Sequence, residues 1–86
     1  MDNATQTRPI YAIANEIGLN WTKPYFGAVP YLRAMHSLRD VTDAYGYDDG
    51  RSIVMYFLAN ANTWRGETAR RVKAELKALL KESARR

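Results

Sequence analysis

The chain has no cysteine in its 86 residues, which excludes disulfide staples, thiol nucleophiles and zinc–thiolate sites together. It has a single histidine, His36, so multi-histidine metal sites and nucleophilic triads lack their parts. Long apolar runs are missing as well. The longest, Ile53 to Ala59, spans seven residues, against the ~20 that cross a bilayer. Met1 to Thr7 is polar and shows no basic patch followed by an apolar stretch, so it does not read as a signal peptide. Asn3-Ala4-Thr5 and Asn20-Trp21-Thr22 match the glycosylation pattern, which carries no meaning without export. Repeats and low-complexity tracts are absent. Together these gaps set the expectation of a protein in a reducing cytoplasm.

What is present can build a core. Hydrophobic residues make up 47% of the chain, and two Trp, six Tyr and two Phe are among them, a composition that excludes intrinsic disorder. The length allows one domain. A chain of this size buries only about 60% of its unfolded surface, so oligomerisation would help it. The net charge of +4 is unevenly placed. Residues 1–63 hold five Lys/Arg and six Asp/Glu, whereas residues 64–86 hold eight Lys/Arg and three Glu. The excess positive charge therefore lies on the last segment.

The patterning predicts an all-α fold, a compact bundle of about four helices in one domain over residues 8–86, preceded by a flexible tail at 1–7. Arg8-Pro9 opens the first helix, with Ile10, Ile13, Ala14 and Ile17 on one face and Gly18 as its stop. Leu19 to Pro30 reads as a loop carrying Trp21, Tyr25 and Phe26, rings that either pack back onto the core or face a partner. The spacing of Tyr31, Ala34, Met35, Leu38, Val41 and Tyr45 predicts a second helix from Pro30 to Ala44 or Tyr45, stopped by Gly46. Tyr47-Asp48-Asp49-Gly50 reads as a turn, either aspartate capping the next helix. That third helix, Arg51 to Ala61, is apolar nearly all round, which predicts a central, buried element, with a buried strand as the competing reading. Asn62 to Gly66 forms a corner around Trp64.

The fourth helix runs from Glu67 to Lys81 or beyond. Ala69, Val72, Leu76, Leu79 and Leu80 fall within one arc of about 100°. Arg70, Lys73, Lys77, Lys81 and Arg85 form an adjacent stripe. Glu67–Arg71 and Arg71–Glu75 have the spacing of one-turn ion pairs.

No constellation carries recognisable chemistry, and no enzyme, cofactor or metal is expected. His36, at the margin of its apolar face, reads as a partly buried structural residue or, alternatively, a lone general base. Asp40, Asp43, Asp48 and Asp49 lack the alternating ligands and terminal glutamate of a calcium loop, and capping explains them. A small metal-dependent hydrolase built on these aspartates is the weakest functional reading. Gly46 to Ser52 falls one residue short of a phosphate-binding loop and has Arg51 where lysine is required. Helices 3 and 4 have the spacing of a helix-turn-helix, but Glu67 and Thr68 offer no base-reading amide. A membrane-surface role lacks an aromatic anchor on the last helix.

The candidate partner-binding residues are the aromatics Trp21, Tyr25, Phe26 and Trp64 with the cations Arg65, Arg70, Lys73, Lys77 and Lys81. Tyr, Trp and Arg dominate binding hot spots, so this set fits docking on another protein. A row of Lys and Arg also fits a nucleic-acid backbone, and it fits equally the solvated face of a surface helix with cations toward its C-terminus. A homodimer through the aromatic loop stays open.

Three stretches carry a resemblance: Tyr25-Phe26-Gly27-Ala28-Val29-Pro30-Tyr31-Leu32, then Tyr45-Gly46-Tyr47-Asp48, then Tyr56 to Ala61 followed by Trp64 to Arg70. In these, Ile10 to about Lys81 is similar to a group of small phage and prophage proteins of phages of Gram-positive bacteria. The resemblance implies a phage origin and a small accessory protein, with no activity attached. Together with the small size, the lack of a catalytic set and the Tyr, Trp and Arg content, it makes the leading expectation a non-enzymatic protein that docks on a host or phage protein, blocking a defence or regulatory factor among the options. It carries over no site residue.

Overall fold

The structure, a computed structural model, describes residues 8–84. The tail expected at 1–7 and the Arg85 end of the basic stripe lie outside the described residues. Four helices are present among the described residues, α1 (Ile10–Asn20), α2 (Val29–Met35), α3 (Gly50–Ala59) and α4 (Glu67–Ala84), with a 3-10 turn at Phe26–Ala28. A two-stranded antiparallel hairpin, β1 (Ala44–Tyr45) and β2 (Asp48–Asp49), pairs Ala44 with Asp49 and Tyr45 with Asp48. The protein is mostly helical, and the hairpin corrects the all-α expectation.

Ile10, Ile13, Ala14 and Ile17 are fully buried, as the helical spacing predicts. Gly18 does not end α1. It stays helical with open space around it, and the helix runs on to Asn20 before Trp21 caps it through an N–H bond of 2.7 Å to the Ile17 carbonyl. The start of α1 has no side-chain cap. Its first N–H groups donate instead to a distant segment, Ile10 to the Arg39 carbonyl at 3.0 Å and Tyr11 to the Leu38 carbonyl at 2.8 Å.

Those two bonds bear on why α2 stops at Met35 rather than at Tyr45. The chain tightens through three-residue bonds (His36 to Arg33, Ser37 to Ala34, Leu38 to Met35) and then turns its carbonyls onto α1. Asp43 closes the turn, its Oδ2 accepting from the N–H groups of Arg39 at 2.8 Å and Asp40 at 3.2 Å. The same segment receives the start of α3: Gly50 N–H donates to the Asp43 carbonyl at 2.6 Å and Arg51 N–H to the Val41 carbonyl at 2.8 Å. One connection thus satisfies orphan donors of two helices. Gly50 is required there, because a Cβ would lie 2.7 Å from the Asp40 carbonyl oxygen and 3.0 Å from Val41 backbone atoms. Gly46, at φ +63, supplies the left-handed position of the hairpin turn.

Asp49 caps α3 by accepting from Ser52 N–H at 2.8 Å, as expected. These bonds hold its carboxyl below the usual range. The helix is not buried all round. Ile53, Val54 and Phe57 face inward, while Met55, Tyr56 and Ala59 face out. Ala69, Val72 and Leu76 of α4 are buried, and Leu79 and Leu80 pack against the core at its edge. The expected pairs within α4 give way to a cluster between elements: Arg8 makes a two-pronged contact with Glu75 (2.6 and 3.0 Å) and meets Glu16 at 2.8 Å, while Arg71 also pairs with Glu16. Arg51 fastens the other end of α4, donating to the Leu80 carbonyl at 2.7 Å and the Ser83 hydroxyl at 3.1 Å.

Candidate functional site

The centre of the fold is aromatic. Trp21 and Trp64 stack with centroids 5.7 Å apart and planes at 12°, and Phe57 meets each edge-on at 6.2 and 6.5 Å. Both indoles are core groups, at 8% and 3% exposure. The Trp64 Nε1–H donates to Asn20 Oδ1 at 2.8 Å, giving the buried donor its partner. Trp21 and Trp64 therefore leave the set of candidate partner-binding residues. Their size made them attractive in the sequence, and the same size makes them the best groups for closing a small core.

Lys73 is corrected too. Its ammonium turns away from the stripe and donates to the carbonyls of Ala61 and Trp64, both at 2.7 Å, with the Trp64 ring 5.9 Å away. Burial, with smaller repulsions from Lys77 and Arg65, holds this amine below its usual range. The side chain fixes the corner between α3 and α4. Arg65, Arg70, Lys77 and Lys81 remain exposed. Arg70, Lys77 and Lys81 fall within about 40° of one another around α4.

Tyr25 and Phe26 behave differently from the tryptophans that flank them. They project from the loop before α2 at 45% and 79% exposure, with ring centroids 4.9 Å apart. Met55 and Tyr56 stand on the outward side of α3 at 49% and 48% exposure. Tyr56 leans on Tyr31 of α2 with centroids 5.4 Å apart, so α2 supports the patch from below. An open cleft of about 280 Å³ lies between the loop and the end of α3, lined by Tyr25, Ala59, Asn60, Asn62 and Thr63. Gly27 allows Tyr25 and Asn60 to approach, because a Cβ there would sit 2.5 Å from the Tyr25 ring and 2.8 Å from Asn60 Oδ1. Asn60 is held by donation from Nδ2 to the Tyr56 carbonyl at 2.9 Å.

A second cleft of about 200 Å³ opens between Pro24, Val29, Leu32, Arg33 and His36. His36 is exposed there, which corrects its expected partial burial. Among the described residues no group of three or more His, Cys, Asp or Glu is placed to hold a metal ion, and no helix is long and apolar enough to cross a membrane.

Sequence reasoning missed Met55, Tyr56 and Asn60. The signal was available: at 100° per residue, Ile53, Val54 and Phe57 span one arc while Met55, Tyr56 and Ala59 span the opposite one. Uniform hydrophobicity concealed that two faces exist. Comparison of the chain with protein-family models, curated proteins and solved structures gives no match.

Proposed function

We propose that this protein is a non-enzymatic accessory protein that docks on another protein through the aromatic face formed by Tyr25, Phe26, Met55 and Tyr56. The observation that supports it is a division among the large side chains. Trp21, Phe57 and Trp64 fill the core, while Phe26 stays 79% exposed against the Tyr25 ring, and Met55 and Tyr56 stand half-exposed on the outward side of α3. Clustered exposed apolar groups mark interaction sites, and aromatic anchors beside small clefts carry much of the energy of protein interfaces. The sequence resemblance supports a phage-encoded accessory product; the role proposed for it is docking on a host or phage protein in the host cytoplasm, inhibition of a defence or regulatory factor among the options. Capture from nuclease-treated bacterial lysate tests it. The wild-type protein recovers a stoichiometric protein partner, and the Phe26→Ala/Tyr56→Ala variant, equally stable, loses it. Recovery of no partner, or equal recovery by the variant, contradicts the proposal.

A second reading, a nucleic-acid-binding module, is favoured by the alignment of Arg70, Lys77 and Lys81 along α4. The inward turn of Lys73 shortens that row. Retardation of DNA or RNA at low salt, fading steeply as salt rises and abolished by Lys77→Glu/Lys81→Glu, supports this reading; no retardation at low salt ends it.

A further inference from the structure

The cleft at the end of α3 combines fixed backbone with unused hydrogen-bonding groups. It is lined by Tyr25, Ala59, Asn60, Asn62 and Thr63, none of them charged. Asn62 and Thr63 form the middle of a turn closed by the Trp64 N–H, which donates to the Ala61 carbonyl at 3.1 Å. Lys73 holds the same turn by donating to the carbonyls of Ala61 and Trp64. Asn60 is fixed as well. The Tyr56 carbonyl can only accept, so it takes Nδ2 of that amide and leaves Oδ1 as an acceptor. A Cβ on Gly27 would meet both this oxygen and the Tyr25 ring, so the two converge over one glycine. Among the described residues, Asn60 Oδ1, the Tyr25 hydroxyl and the side chains of Asn62 and Thr63 enter no hydrogen bond.

From this arrangement we infer that the cleft binds a neutral saccharide ring. A charged ligand would lose water there and find no opposite charge on the lining. An apolar ligand would strip water from four polar side chains and return no hydrogen bond to them. Hydroxyl groups both donate and accept. They satisfy Oδ1, which needs a donor, and equally the amide of Asn62 and the hydroxyls of Thr63 and Tyr25. The C–H groups of a sugar ring carry slight positive charge, which suits the negative face of the Tyr25 ring. A volume of about 280 Å³ lies at the small end of ligand pockets and takes one ring rather than a chain. A nucleobase fits less well, because its donors and acceptors lie in one plane, whereas the polar groups here come from two segments, the loop and residues 60–63. The inference stands apart from the docking reading, since Phe26, Met55 and Tyr56 are not among the side chains that line the cleft.

Amide NMR titration of the full chain tests the inference, with methyl glucoside, methyl N-acetylglucosaminide and cytosine as probes. At least one glycoside is expected to give saturable shifts at Asn60, Asn62 and Thr63, side-chain amides included, and cytosine to give none. The Asn62→Ala/Thr63→Ala variant, changed at two exposed positions, is expected to keep the thermal midpoint and to bind that glycoside about tenfold more weakly. The Phe26→Ala/Tyr56→Ala variant, which removes docking, is expected to bind it as the wild type does. Absence of saturable shifts with both glycosides overturns the inference and leaves the docking reading standing. Saturation by cytosine at the same residues overturns it in favour of a base. Glycoside binding that survives Asn62→Ala/Thr63→Ala, or that is lost with Phe26 and Tyr56, places the sugar outside the cleft and overturns it too.

Discussion

The Lys73 ammonium lies 2.7 Å from the Trp64 carbonyl oxygen and over the indole ring of the same residue. A residue from the basic stripe of α4 thereby closes the corner that delivers Trp64 to the core. Its contacts to two carbonyls offset the desolvation of the amine, so Lys73→Ala is expected to lower stability by about 1–2 kcal/mol. Lys77→Ala, on the exposed side of the same helix, is expected to stay within about 0.5 kcal/mol. Urea unfolding followed by Trp fluorescence measures both.

Gly50 and Gly18 separate close packing from open space. A Cβ at Gly50 meets the backbone of Asp40 and Val41, which has no freedom to retreat without releasing the caps of α1 and α3. Gly50→Ala is expected to cost about 2 kcal/mol or more. Gly18 is helical with nothing within 4 Å of a new Cβ, so Gly18→Ala is expected to gain about 0.5–1 kcal/mol. Opposite shifts in the thermal midpoint are the readout.

Glu16 gives the fold a defined acid sensitivity. Arg71 first, and Arg8 after it, hold the Glu16 carboxyl below its ordinary value of 4.5, against an opposing contribution from burial. A carboxylate whose pKa is lower folded than unfolded binds more protons when unfolded. Its stabilisation is therefore full above about 4.5 and is lost as pH falls through the folded value. Thermal midpoints measured from pH 7 to pH 2.5 should fall in that window, and Glu16→Gln should flatten the decline while lowering the plateau near neutrality.

Gly27 tests the cleft without touching the core. Its added methyl meets first the exposed ring of Tyr25 and the side-chain amide of Asn60. Gly27→Ala should keep the thermal midpoint within a few degrees and displace the Tyr25 ring, weakening partner capture. An unchanged capture together with a shifted Tyr25 resonance would count against the cleft as part of the interface.

Much of the fold was legible because period and burial agree. The Ile10–Ile17 face and the Val72–Leu76 seam follow from spacing alone, and a cap from Asp48 or Asp49 follows from their place before α3, the structure using Asp49. The end of α2 was not legible. Leu38, Val41 and Tyr45 continue its helical period, yet the carbonyls of Leu38 and Arg39 are taken by the first turn of α1, a contact between residues nearly thirty positions apart. Strands of two residues are too short for alternation to show. For the candidate site, Tyr25 and Phe26 were legible as loop aromatics. What separates them from Trp21 is tertiary: α1 ends on Trp21 and points its ring at Phe57, whereas the 3-10 turn buries Ala28 and leaves the rings of Tyr25 and Phe26 outside.

Hydrogen–deuterium exchange of the protein alone and in complex with its captured partner is the most direct test of the aromatic docking face. Protection is expected at residues 25–27 and 55–63, with the outer stripe of α4 unchanged. Protection confined to Arg70–Lys81, with the loop and the end of α3 exchanging as in the free protein, would contradict it.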